Sequence, residues 1–240
     1  MNEQPEEDQV AKRMQYAIRN TFVVRYPRQN LATFGTTSIK YYLVTEPAYS
    51  ELQAEGSSDD VVIREGMIRA EQPQVVTPHH LLQHEGFADH AAEYLEHLGR
   101  EVGQDAPGLL YVYKNDGMRT NIASGDVSQV TNRLKRWLDR EERGMEAVIS
   151  GVDELWDVSL MKFIYDLTTA SVKANVAEMQ AHGLMDVERG VPNDARQRID
   201  RLLEEALRGG VDPSVVHREI ESWGLFDEYQ DRFLSLFRKR

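Results

Sequence analysis

Four of the chain's seven histidines fall within fourteen positions, in the stretch "TPHHLLQHEGFADH", residues 77–90. Imidazole is the commonest protein ligand for ions such as zinc and nickel, so spacing decides whether these rings can share one. On a helix, successive side chains turn by about 100° and rise by about 1.5 Å. His80 and His84 then sit about 40° and 6 Å apart on one face. That pair can hold a single ion, with Glu85 as a third donor from an adjoining turn. His79, His90 and His97 share a direction but are separated by about 16 Å and 10 Å of helix rise, too far for a common ion. The stretch departs from the H-x-x-E-H spacing, because Gln83 stands where that motif places its general base. H-E-x-x-H is absent as well, since Gly86, Phe87 and Ala88 follow His84-Glu85. The competing reading is a helix whose histidines flank an apolar face of Leu81, Phe87, Ala91 and Leu95. Under that reading no cofactor is expected. Under the first, a zinc or nickel ion is expected and leaves as the imidazoles protonate near about pH 6.

A second pattern is an omission. From Gln9 to Thr45 there is no Asp or Glu, where the overall composition would place about six. The same window carries Lys12, Arg13, Arg19, Arg25, Arg28 and Lys40, interleaved with Tyr16, Phe22, Tyr26, Phe34, Tyr41 and Tyr42. Cations beside aromatic rings can hold a phosphate backbone while bases stack, or they can meet an acidic protein surface. The candidate binding residues are Arg19, Arg25, Arg28, Lys40, Tyr26 and Tyr42. Strand alternation weighs against a shared face, because Arg25 points away from its neighbours Val24 and Tyr26. The alternative is a basic face that pairs within the fold with acids of residues 51–60 or 85–101.

Other chemistry lacks support. There is no phosphate loop, no dinucleotide glycine fingerprint and no G-x-S-x-G. Asp153 and Asp157 stand one helical turn apart, a spacing that can present two carboxylates but that exposed helix acids adopt constantly. The absence of cysteine excludes disulfides, thiolate metal sites and cysteine nucleophiles. A net charge of -12 opposes casual contact with polyanions or anionic membranes. No apolar run reaches the length of a membrane span, and the start "MNEQPEEDQV" lacks the pattern of a signal peptide, so the expected compartment is the cytoplasm.

These residues need elements to position them. Residues 1–8 read as an acidic, frayed start, and Val10, Met14, Ala17 and Ile18 follow at helical spacing. "TFVVRYP" and "TTSIKYYLVTEP" read as strands. Two hairpins are expected beyond them, one turning at Glu65-Gly66 and one at Asn115-Asp116-Gly117. Thr77 and Pro78 read as the cap and first residue of the histidine-rich helix. From Asp126 onward only helices are expected: residues 126–143 capped by Asp126 or Ser128, then one long core helix or two joined near Thr168 and Thr169, ending at Gly183 with Trp156, Leu160, Phe163, Ile164 and Leu167 as the stripe, and three shorter helices. In the last, "WGLFDEYQDRFLSLF" supplies aromatics either to the long core helix or to a subunit interface.

The expected fold class is α+β, with a small, mostly antiparallel sheet and helices over residues 9–125 and a helical region over residues 126–240, the two either separate or sharing one core. The expected function is a non-enzymatic cytoplasmic interaction or regulatory protein, with a protein partner or a second copy of the chain. Two alternatives stand beside it: a nucleic-acid accessory protein using residues 9–45, and a metal-dependent hydrolase using His80 and His84.

Overall fold

The run "TSIKYYLVTE" alternates little because both of its faces are covered, and it forms the middle of a sheet. In the computed structural model, which describes residues 4–47, 60–78, 80, 103 and 105–237, the elements in chain order are α1 (Gln4–Arg19), β1 (Phe22–Arg25), β2 (Thr37–Glu46), β3 (Asp60–Ala70), β4 (Gln74–Val76), β5 (Gly108–Leu110), β6 (Tyr113–Ser124), α2 (Val127–Arg140), β7 (Glu146–Val152), α3 (Trp156–Ala181), β8 (Val187–Glu188), β9 (Val191–Pro192), α4 (Asn193–Leu207), α5 (Pro213–Ser222) and α6 (Phe226–Ser235). The fold is α+β. The chain divides into two units: residues 1–72 with 111–173, and residues 73–110 with 174–240.

The first unit is a five-stranded sheet in the order β1-β7-β2-β3-β6. Neighbours are antiparallel except β2 and β7, which run parallel. On one face Ile39, Tyr41, Leu43, Ile68, Ala147 and Ile149 pack against Leu160, Phe163, Ile164 and Leu167 of α3. On the other, Tyr42, Val44, Val61 and Val148 meet Val130, Leu134, Trp137 and Leu138 of α2. Asp126 caps α2, its carboxylate accepting from the Gln129 amide at 2.8 Å.

Four sequence expectations need correction here. Residues 146–152 form a strand that pairs on both sides, although no strand is expected after Asp126. The boundary read at residues 125/126 therefore does not coincide with the division of the chain, since α2 and β7 belong to the first unit. Glu65-Gly66 is not a turn: β3 runs through it, and Gly66 lies opposite Tyr41. A Cβ on Gly66 would stand 2.6 Å from the Tyr41 hydroxyl, so this glycine makes room for a ring. Asn115-Asp116-Gly117 is not a hairpin either. β6 continues through it with a bulge, where Gly117 and Met118 oppose Gly66 alone and Gly117 takes φ +65°.

In the second unit, Ile199 and Leu203 of α4, Val216 and Ile220 of α5, and Tyr229 and Phe233 of α6 share one core. The aromatic terminal helix packs on α4 and α5. Asp212 caps α5 with Pro213 in its first turn, as its sequence implies. Buried Asp194 accepts from the Val75 amide and from Arg198, both at 3.0 Å, and so ties β4 to α4. Among the described residues no helix is long and apolar enough to cross a membrane.

Candidate functional site

In sheets that contain parallel strands, ligands commonly bind beyond the carboxyl ends of those strands, where the connections part. β2 and β7 are the parallel pair, and their carboxyl ends open into a groove of about 980 Å³ within the first unit. Residues 150–155, at the end of β7 and just after it, line the groove together with Glu46 and Pro47 at the end of β2. Gln9, Lys12, Arg13, Tyr16 and Asn20 come from or just after α1, Phe22 and Val24 from β1, and Asp126, Val127, Ser128 and Thr131 from the start of α2.

Alternation sets the face. Val24 and Val148 pack on the α2 side of the sheet, so Phe22 and Ser150, two residues away on the same strands, project to that side too. Phe22, Ser150 and Val44 stand in one row across the strands. Tyr16 and Phe22, both on the groove wall, are each 61% exposed.

Two lining residues, Gly151 and Asp153, are held by groups behind the groove. Arg64 donates to Asp153 at 2.5 Å and to the Thr45 hydroxyl at 3.1 Å, and Thr45 donates to Asp153 at 2.7 Å. The Arg64 guanidinium also lies 5.8 Å from the centre of the Trp156 ring. Gly151 lets α3 approach the sheet closely, because a Cβ there would stand 2.6 Å from the Ser159 hydroxyl oxygen. That hydroxyl accepts from the Val152 amide at 3.2 Å and from Thr21 at 2.8 Å, joining the α1–β1 connection to α3. Across the groove, Arg13 donates to Glu154 at 2.9 Å. Asp153 and Asp157 are engaged separately, the first with Arg64 and the second with the Val158 amide at 2.9 Å.

The acid-free window contributes Lys12, Arg13, Tyr16 and Phe22 to this groove, but the residues nominated from it lie elsewhere. Arg25 is 6% exposed and donates to Asp139 at 2.8 Å and to the Glu146 carbonyl. Tyr42 is 5% exposed, and its hydroxyl donates to the Glu146 carboxylate at 2.9 Å. Burial pushes the Tyr42 phenol above its ordinary value, with Glu146 adding to the shift against Lys40. Lys40 pairs with Glu65 at 3.0 Å and lies over the Tyr42 ring. Tyr26 is exposed and contacts Asp166 at 3.5 Å, while Arg19 and Arg28 are exposed. The six therefore do not form one exposed basic and aromatic face. Among the described residues, Asp139, Glu65 and Glu154 form ion pairs with this window, while residues 51–59 and 85–101 of the two acidic stretches lie outside the described residues.

His80 belongs to the second unit and is 7% exposed. Its ring stacks on Trp223 at 3.5 Å with the planes nearly parallel, and its Nδ1 lies 2.9 Å from the Ser222 carbonyl oxygen. Thr77 accepts from the His80 amide at 3.3 Å, the contact expected of a cap. His84 and Glu85, with His79, His90 and His97, lie outside the described residues. Among the described residues no group of three or more His, Asp or Glu side chains is placed to hold a metal ion.

Comparison with protein-family models, with curated proteins and with solved structures returns no match to this chain.

Proposed function

We propose that the protein is a non-enzymatic, cytoplasmic interaction protein whose first unit receives a segment of a protein partner in the groove beyond β2 and β7. The observation that carries this reading is the pairing of a groove of about 980 Å³ with two largely exposed aromatic rings, Tyr16 and Phe22, on its wall. Exposed rings of this kind supply contact area at low entropic cost, and Tyr is enriched where proteins meet. Binding suits the lining better than catalysis. The groove residues include no histidine to serve as a base near neutral pH, and the carboxylates of Asp153 and Glu154 are held by arginines.

Selection of a phage-displayed random peptide library on the protein tests this reading. Peptides should be enriched that bind the unmodified protein and lose binding to Phe22→Asp, a change at an exposed position that leaves the sheet intact. No enrichment, or peptides that bind both proteins equally, would overturn it.

Nucleic-acid binding keeps one supporting feature, the presence of Lys12, Arg13, Tyr16 and Phe22 on the same wall. Fluorescence polarisation with a mixed-sequence single-stranded RNA at 50 and 200 mM salt decides between the two, because phosphate contacts weaken steeply with salt. Tight, salt-steep binding lost in Lys12→Glu, Arg13→Glu would favour RNA over a peptide.

A further inference from the structure

The groove lining carries four carboxylates, Glu46, Asp126, Asp153 and Glu154, against the two cations Lys12 and Arg13. Two of the acids are matched at close range, Glu154 by Arg13 at 2.9 Å and Asp153 by Arg64 at 2.5 Å. Glu46, Asp126 and Lys12 complete the charged lining, and the local balance is acidic.

Their positions matter as much as their number. Glu46 follows Val44 by two residues on β2, so both project to the face that carries Phe22. Phe22 and Val44 are two strands apart in the row through Ser150. Phe22 to Glu46 is then about 12 Å between Cα atoms, from the ordinary strand spacing and rise. A lysine or arginine stem lying on the Phe22 ring and running across β7 points its charged head toward the carboxylate two strands away on β2. Aromatic faces attract such cations directly, and a basic stem also buries its methylenes against the ring.

We propose that the occupant of the groove is a basic segment of a partner protein, bound with Lys or Arg side chains against Tyr16 and Phe22 and their charges toward Glu46 and Asp126. This rests on the interaction reading above and names the chemistry of the partner. The chain's net charge of -12 draws a basic segment toward the groove and repels acidic segments and polyanions, which would meet Glu46 and Asp126 on arrival.

The test is fluorescence anisotropy with two labelled, end-capped nonapeptides, one alternating arginine and serine and the other alternating glutamate and serine. The arginine peptide should bind more tightly. Glu46→Gln with Asp126→Asn should weaken it about tenfold, since each exposed charge pair contributes modestly; asparagine keeps the α2 cap. Phe22→Ala should weaken it about threefold to fivefold, and Phe22→Tyr should restore binding. Glu178→Gln with Glu205→Gln, which removes the same charge from exposed helix positions in the second unit, should change affinity less than twofold. Equal weakening by both pairs would reduce the effect to diffuse acidity and overturn the proposal. Tighter binding of the glutamate peptide, or binding of neither, would also overturn it. If the random library still yields groove-dependent peptides of other chemistry, the interaction reading survives and only the basic occupant is lost.

Discussion

Gly66→Ala should destabilise the first unit, and replacing the ring opposite should reverse the sign of the change. Gly66 sits inside β3 with Tyr41 across from it on β2, and an added Cβ would approach the Tyr41 hydroxyl, Cζ and Cε1 to 2.6, 2.8 and 3.0 Å. Tyr41 is fully buried, and its hydroxyl donates to Asn115 at 3.0 Å, so the ring cannot swing away freely. Overpacking of this kind costs about 1–3 kcal/mol. Alanine in a strand recovers roughly 0.5–1 kcal/mol of the entropy that glycine loses, which leaves a net loss of up to about 2.5 kcal/mol. In a Tyr41→Leu background the obstruction is gone, and the same Gly66→Ala change should stabilise by about 0.5–1 kcal/mol. The coupling between the two sites is then the overpacking cost itself, about 1–3 kcal/mol. Urea unfolding followed by fluorescence measures it, in a Trp223→Phe background so that Trp137 and Trp156 report on the first unit. Had Gly66 been a turn residue with positive φ, alanine would be penalised equally in both backgrounds. Equal penalties, or no penalty at all, would refute the packing argument.

Arg25→Met should leave the Glu146 carbonyl without its buried donor and cost about 1–3 kcal/mol in the same unfolding assay. Arg25 also holds the Asp139 carboxyl below its ordinary value, chiefly through its hydrogen bond. The stabilisation from that pair is therefore present above the ordinary carboxylate value and lost as pH falls through the lowered one, and Arg25→Met should flatten this acid limb of a stability–pH curve. Burial pushes the Tyr111 phenol up to about 12, and its hydroxyl has no hydrogen-bond partner among the described residues. Stability should fall as pH rises from the ordinary phenol value of about 10 toward about 12, and Tyr111→Phe should blunt that loss while leaving neutral-pH stability unchanged or slightly higher. Spectrophotometric titration of phenolate would show the missing late step. His80→Ala removes a ring stacked on Trp223 and a contact to the Ser222 carbonyl, and should cost about 1–3 kcal/mol with a changed near-ultraviolet circular dichroism band from Trp223.

Where local chemistry and tertiary position agree, the sequence could be read directly. Asp126 and Asp212 cap helices at the places their neighbours imply, and the stripe of α3 packs as its spacing demands. Reading failed where one local signal serves two purposes. A positive-φ glycine after Asn-Asp marks a hairpin turn and also a bulge, and Gly117 uses it for the second. Glycine in a strand reads as a break, yet Gly66 and Gly151 are small because Tyr41 and Ser159 press against them. Gly151 and Ser150 also disguised β7, whose apolar run is only Ala147, Val148 and Ile149. The groove depends on that strand. Without β7 there is no parallel pair, and residues 150–155 read as a loop with no neighbours. The acid-free window did point to one wall of the groove, but which of its members are exposed is fixed by partners such as Asp139 and Glu146, more than a hundred residues away.

Amide chemical-shift mapping of the isotopically labelled protein with the arginine–serine nonapeptide tests the groove most directly. Perturbations gathered on Tyr16, Asn20, Phe22, Glu46 and residues 150–155, saturating together, are the predicted result. Shifts spread evenly over acidic surface positions, or gathered on α4 to α6, would contradict the assignment of the binding site.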